Sequence, residues 1–85
     1  MNATQAQGER TRLGILAAVR WYERTYGRSP TIRQIGQIVR PAQPLSTGLV
    51  SYHLKLLEAR GTLAHVPGQN RTYHTVGAAT AAGGP

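Results

Sequence analysis

The chain has 85 residues, no cysteine, and ten Lys and Arg against three acidic residues, for a formal charge of +7. This length predicts a single small domain, and the absence of cysteine excludes disulfides and thiolate metal sites. No segment is apolar and long enough to span a membrane, and the N-terminus lacks the charged start and apolar run of a signal peptide. We therefore expect a cytoplasmic, nucleoid-associated protein.

The charge indicates the class of partner. The acids are Glu9, Glu23 and Glu58, there is no aspartate, and nine of the ten cations are arginine. A high positive charge on a small domain favours polyanionic partners, of which phosphate backbones are the commonest. A basic protein kept soluble by its charge is the alternative. A membrane-surface helix is disfavoured, because the arginines are spread along the chain instead of lying on one amphipathic helix.

The first predicted helix runs from Glu9 to Tyr26, and Gly27 supplies its stop signal. Residues 1–8 and 77–85 are small and polar without periodicity, which predicts a disordered tail at each end of a folded domain over 9–76. The apolar residues of this helix recur at helical spacing and form one stripe: Ile15, Leu16, Val19, Tyr22 and Tyr26.

The second predicted helix has a clear start and end. Thr31 can cap it, and Gln34, three residues on, completes a capping box. Pro41 prevents its continuation, and a residue that precedes proline resists helical geometry. The helix is therefore expected to end near Val39 or Arg40.

A third helix follows a connection that contains two prolines. Ser46 and Thr47 are good N-cap candidates, and the helix is expected to run to about Arg60 before Gly61. Its core-facing stripe has the spacing i, i+4, i+7 and consists of Val50, Leu54 and Leu57.

After the third helix the pattern becomes β-prone. Segments 62–66 and 71–76 partly alternate, and the sequence PGQN at 67–70 between them is typical of a turn. The predicted fold is mainly α with a small β-hairpin. The order of three helices and a two-stranded wing is that of a winged helix-turn-helix domain.

Three stretches resemble the DNA-binding domain of LexA-type repressors. The sequence YGRSPTIRQIG at 26–36 is similar to the start of that family's second helix, STGLVSYHLKLLE at 46–58 to its recognition helix, and GTL at 61–63 to its helix-to-wing junction. The resemblance implies a winged helix-turn-helix repressor in which the third helix enters the DNA groove. The connection over 37–47 is about three residues longer than the family's usual turn. Nothing here resembles the family's self-cleaving protease domain, so self-cleavage is not carried over.

The third helix, viewed down its axis at about 100° per residue, has a polar side opposite its core stripe. This face is nearly free of acids and large aliphatic residues, as suits a helix inserted in a groove. Ser46 and Thr47 at its N-terminus can bind a phosphate, Ser51 and Tyr52 are candidates for base contacts, and Lys55 can reach a guanine or a phosphate. The face consists of Thr47, Gly48, Ser51, Tyr52 and Lys55, with Ala59 beyond them.

Further DNA contacts are expected from the second helix and the wing tip. In this architecture the second helix crosses the DNA backbone, so Arg33 in its first turn and Arg28 just before it are predicted phosphate contacts. The tip residues Gln69, Asn70 and Arg71 are predicted to reach a minor groove or a phosphate. For each of these residues the alternative is an ordinary solvated side chain.

The sequence offers no support for catalysis, a metal or a cofactor. The three glutamates are far apart, and the histidines lack ligand spacing, although His65 and His74 could approach each other across the hairpin. His53, beside the core stripe, is expected to be partly buried. Leu49 and Leu56 share a helix side away from the core; we expect the proline-containing connection to cover them, with a dimer contact as the alternative.

The predicted function is sequence-specific binding of double-stranded DNA by a repressor-like transcriptional regulator, not an enzyme. The expected partner is duplex DNA, with a possible homodimer on a symmetric operator and no small-molecule ligand. The alternatives are a winged-helix protein-interaction module and an RNA-binding or replication accessory factor that uses the same basic surface.

Overall fold

The computed structural model of the chain describes residues 3–65 and 73–76. The chain is mainly helical, with a small two-stranded antiparallel sheet, and its elements follow in the predicted order of three helices and two strands. They are α1 (Ala3–Tyr26), α2 (Ile32–Val39), α3 (Thr47–Ala59), β1 (Leu63–Ala64) and β2 (His74–Thr75).

Helix α1 begins earlier than the sequence pattern predicted. It starts at Ala3 instead of Glu9, so residues 3–8, assigned above to a disordered tail, are helical. That segment is rich in alanine and glutamine, which favour a helix even without an apolar stripe. The predicted end is confirmed: Gly27 has φ 73° and donates its amide proton to the carbonyl of Glu23 at 2.8 Å. The predicted tail over 77–85 lies outside the described residues.

Helix α2 is bounded as its local sequence predicted. The amide of Gln34 donates to Oγ1 of Thr31 at 3.1 Å, and the amide of Thr31 donates to Oε1 of Gln34 at 2.9 Å, which completes the capping box. The helix ends at Val39, with Arg40 as its C-cap. Both signals lie within a few residues of sequence, so they act before any tertiary contact is formed.

Helix α3 also matches its predicted bounds. Ser46 is its N-cap and accepts a hydrogen bond from the amide of Leu49 at 3.2 Å, and Arg60 is its C-cap. Gly61 follows with φ 78°, a backbone conformation that favours glycine. The predicted inward stripe is confirmed, since Val50, Leu54 and Leu57 are all buried.

The connection between α2 and α3 is fastened by a close backbone approach. The amide of Leu45 donates to the carbonyl of Gly36 at 3.4 Å, and a Cβ at Gly36 would lie only 2.7 Å from the carbonyl oxygen of Leu45. The side chain of Leu45 is buried in the core. The connection therefore inserts its own leucine and does not cover Leu49, which is 40% exposed. The prediction that the connection covers Leu49 is therefore wrong. Leu56, for which the same cover was predicted, is half-buried.

The two strands close the remaining side of the core. Leu63 pairs with Thr75 and Ala64 with His74, within the predicted β-prone segments 62–66 and 71–76. The turn at 67–70 lies outside the described residues. The core combines all three helices, the connection and both ends of the hairpin: Ile15, Ala18, Val19, Ile35, Leu45, Val50, Leu54, Leu57, Leu63 and Tyr73.

None of the helices in the described residues is both long enough and apolar enough to cross a membrane.

Gly36→Ala tests the close approach that positions α3. The added Cβ would press on backbone, which cannot rotate away, so we expect the free energy of unfolding to fall by about 1–3 kcal/mol. Urea unfolding followed by circular dichroism measures the change.

Gly8→Ala is the matched control, because a Cβ at this position of α1 meets nothing within 4 Å. It should leave stability unchanged or raise it by up to about 1 kcal/mol, through helix propensity alone. A Gly36→Ala protein as stable as the parent would show that the connection is not held in this way.

Candidate nucleic-acid interface

The outer face of α3, defined as Thr47, Gly48, Ser51, Tyr52 and Lys55, lies on the side of the helix that faces away from the core. Ser51 is half-buried and the other four are exposed, Tyr52 to 57% of its surface. A Cβ added to Gly48 would meet nothing within 4 Å. The face is thus open, as the helical wheel predicted. Gly48, which has no side chain, lies near the N-terminus of the helix.

Ser46 is the N-cap of this helix. Its side-chain oxygen accepts the hydrogen bond from Leu49 that caps α3. The hydroxyl proton is still a donor, so capping and a phosphate contact are compatible. The amides of Thr47 and Gly48 belong to the first turn, where helix geometry leaves amide protons without intrahelical acceptors.

The two arginines expected beside α2 are both exposed. Arg28 lies in the connection between α1 and α2, and Arg33 in the first turn of α2. Within residues 3–65 and 73–76 neither forms an ion pair with a carboxylate. Helix α2, which carries Arg33, packs against α3, and among the described residues no hydrogen bond joins either arginine to the outer face of α3. The predicted wing-tip contacts Gln69, Asn70 and Arg71 lie outside the described residues.

All three carboxylates of the chain are engaged elsewhere. Glu9 forms ion pairs with Arg12 and, at 3.6 Å, with Arg60. Glu58, although it belongs to α3, is half-buried and lies 2.5 Å from Nδ1 of His65.

Glu23 joins α1 to the sheet, because the hydroxyl of Thr75 donates to its carboxylate at 2.8 Å and the Thr75 amide does so at 3.4 Å. The outer face of α3 therefore carries a lysine and no acid, in a chain whose acids are held by intramolecular contacts. The acid of α3 nearest to this face is Glu58, three residues after Lys55, and it is half-buried beside His65.

A buried polar contact behind this face joins α1 to α3. His53 is only 3% exposed, which confirms its expected burial, and its Nδ1 accepts a hydrogen bond from Nε of Arg12 at 3.2 Å. Burial, together with the Arg12 charge, lowers the pKa of His53. Sequence reasoning did not identify Arg12, although its spacing from Ile15 and Val19 places it on the inner side of α1.

The sequence allowed His65 and His74 to approach each other across the hairpin. The strand register gives each of them a different neighbour. His74 stands opposite Ala64, whereas His65 stacks on Tyr73 with their ring centres 4.9 Å apart. Burial and the nearby Glu58 raise the pKa of Tyr73. His65 thus packs on Tyr73 and pairs with Glu58. In the described part of the chain, no group of three or more His, Cys, Asp or Glu is arranged to hold a metal ion.

Comparison with known protein families, with curated proteins and with solved structures finds no match for this chain.

His53→Asn tests the buried contact through pH. In the unfolded chain histidine titrates near pH 6.5, and in the folded chain the pKa of His53 is lower, so unfolding takes up a proton in acid. The contribution of His53 is fully present above about pH 6.5 and is lost as the pH falls below that value. Urea unfolding at pH 7.5 and pH 5 should show this loss.

Asparagine keeps an acceptor for Arg12 but does not titrate. The His53→Asn protein should therefore lose less stability between the two pH values than the parent does. His74→Asn, at a half-buried strand position, is the control. An equal acid sensitivity in the parent and in His53→Asn would contradict a buried neutral imidazole.

Proposed function

We propose that this chain is a winged helix-turn-helix protein that binds double-stranded DNA through the outer face of α3, as a repressor-like regulator of transcription. The observation that carries the proposal is the acid-free, open face of α3 in a chain of charge +7. The element order and the antiparallel pair of strands support the winged-helix assignment. The resemblance to LexA-type repressors belongs to the same proposal.

Affinity in this proposal comes mainly from cations and phosphates. Arg28 and Arg33 are exposed, and neither is neutralised by a carboxylate in the described residues. Each arginine that neutralises a phosphate releases counterions, so binding weakens steeply as salt rises. Arg33 at the start of α2 works against the helix dipole, which favours acids at that end. Its charge therefore serves something other than helix stability.

Sequence preference in this proposal comes from the middle of the α3 face. The exposed Tyr52 ring can contact a thymine methyl or donate a hydrogen bond to a base, and Lys55 can donate to a guanine edge. Ser51 is half-buried and short, so only a base edge close to the helix axis is within its reach. So few base contacts imply modest affinity for one domain.

The first test measures binding to labelled duplex DNA, single-stranded DNA and RNA at about 50 and 200 mM salt. We expect the duplex to bind best and affinity to fall strongly with salt. Arg33→Ala should weaken duplex binding for all sequences alike and reduce the salt slope by about 1.

Arg24→Ala is the control for the loss of one positive charge, because Arg24 is also exposed but lies on α1. It should leave the salt slope nearly unchanged. No preference for duplex at either salt would refute duplex binding. Equal effects of the two variants would refute the proposed orientation on DNA.

Gly48→Ala tests whether the α3 face approaches a macromolecule closely. Space around Gly48 is open in the free protein, so alanine should raise stability by up to about 1 kcal/mol through helix propensity. Duplex affinity should nevertheless fall, because the added methyl would stand between the helix and the DNA. Unfolding and anisotropy measurements follow the two effects separately.

Gly8→Ala provides the matched control, since it makes the same change at an open position of α1. It should leave duplex affinity unchanged. If Gly48→Ala binds duplex as tightly as the parent does, the N-terminal part of α3 does not sit in a groove.

A further inference from the structure

A second exposed patch lies on α1, on the side that faces away from the core. Leu13 is 62% exposed, Ala17 is exposed, and Trp21 is 44% exposed. Their spacing of i, i+4 and i+8 places them in one line on the helix. We call Leu13, Ala17 and Trp21 the α1 outer patch. Its two large residues are among the exposed large hydrophobic residues of the described part of the chain.

Arginines border this line on the same side of the helix. Arg10, Arg20 and Arg24 are all exposed, and none forms an ion pair with a carboxylate within residues 3–65 and 73–76. With arginines beside and between its apolar residues, this side of the helix is complementary to a partner that is both apolar and acidic.

The indole of Trp21 is held in place by its neighbours. The Tyr26 ring meets it edge to face at a centroid distance of 5.9 Å, and the Tyr22 ring does so at 6.5 Å. Tyr22 is itself buried and packs on Tyr26. Tryptophan, tyrosine and arginine are the residues that dominate the energy of protein interfaces.

The α1 outer patch and the outer face of α3 lie on different sides of the molecule. Helices α1 and α3 contact each other through their buried sides, where Arg12 of α1 meets His53 of α3. Both outer sides therefore point away from the shared core. A partner on α1 would leave α3 open.

We propose that the α1 outer patch docks an acidic amphipathic helix of another protein, whose apolar residues cover Leu13 and Trp21 while its carboxylates pair with the bordering arginines. Charge complementarity selects this occupant. A second copy of the chain would bring arginines against arginines, and its three glutamates already have partners within their own chain.

Duplex DNA is a poorer fit for this patch than an acidic helix. Phosphates would match the arginines, but a sugar-phosphate backbone offers little apolar surface to bury the side chain of Leu13. From Leu13 to Trp21 the helix rises about 12 Å, so two to three turns of a partner helix suffice. The contact is small and belongs with weak, transient interfaces.

The experiment uses Trp21, the only tryptophan in the chain, as its reporter. The probe is a synthetic helical peptide of three to four turns, with leucines on one side and glutamates on both flanks. Adding it to the full chain should shift the Trp21 emission to the blue and saturate. Leu13→Ser and the double variant Arg20→Ala/Arg24→Ala should each weaken binding several-fold.

Matched controls separate docking from general attraction. Leu49→Ser removes an exposed leucine from α3, and Arg40→Ala removes an exposed arginine outside the patch. Both should bind the peptide as the parent does. A peptide with serines in place of its leucines keeps the charge and should bind several-fold more weakly. Circular dichroism confirms that each variant is folded.

Each other occupant has its own signature, and each would overturn the proposal. A blue shift that depends on protein concentration without peptide would identify a second copy. A shift with duplex DNA that Leu13→Ser does not diminish would identify nucleic acid. Equal binding of the serine peptide would show attraction by charge alone. Equal losses from Leu49→Ser and Leu13→Ser would show apolar attraction that is not specific to the patch.

Discussion

The close approach of Gly36 to the carbonyl of Leu45 is the constraint on which the placement of α3 depends. Only glycine leaves room for that carbonyl, because any Cβ would lie 2.7 Å from the oxygen. The approach brings the connection against α2 and lets the Leu45 side chain enter the core. Ser46 then follows at once and caps α3. The close approach at Gly36 and the buried stripe of α3 together position its outer face.

The positions of the three glutamates determine which surfaces of the molecule are free of acidic residues. The carboxylates of Glu9, Glu23 and Glu58 are engaged in ion pairs or hydrogen bonds that join α1, α3 and the sheet. None of the three belongs to the outer face of α3 or to the α1 outer patch. Two surfaces therefore contain no acidic residue: the polar outer face of α3 and the α1 outer patch with its neighbouring arginines. Their different chemistry, one polar and one apolar at its centre, is the reason that we assign them different partners.

The sequence predicted those features of the fold that have local causes. The Thr31–Gln34 capping box, the Ser46 cap and the stop at Gly61 each involve residues within one helical turn, and all are confirmed. Exposure of the α3 face also followed from the sequence, because a helix with one buried stripe must expose its other side. The start of α1 was missed, since helix propensity in residues 3–8 is not marked by any apolar periodicity.

By itself, then, the sequence determined the helices, the excess of positive charge and the residues that face outward on α3, because spacing and composition are enough to specify these. Tertiary structure alone decided that Arg12 meets His53, that Glu23 holds Thr75, and that His65 stacks on Tyr73 and not on His74. It also decided that Leu45 of the connection enters the core. These contacts join residues far apart in the chain or depend on the close backbone approach at Gly36. The sequence did not predict them, because a local sequence pattern does not specify how distant segments pack together.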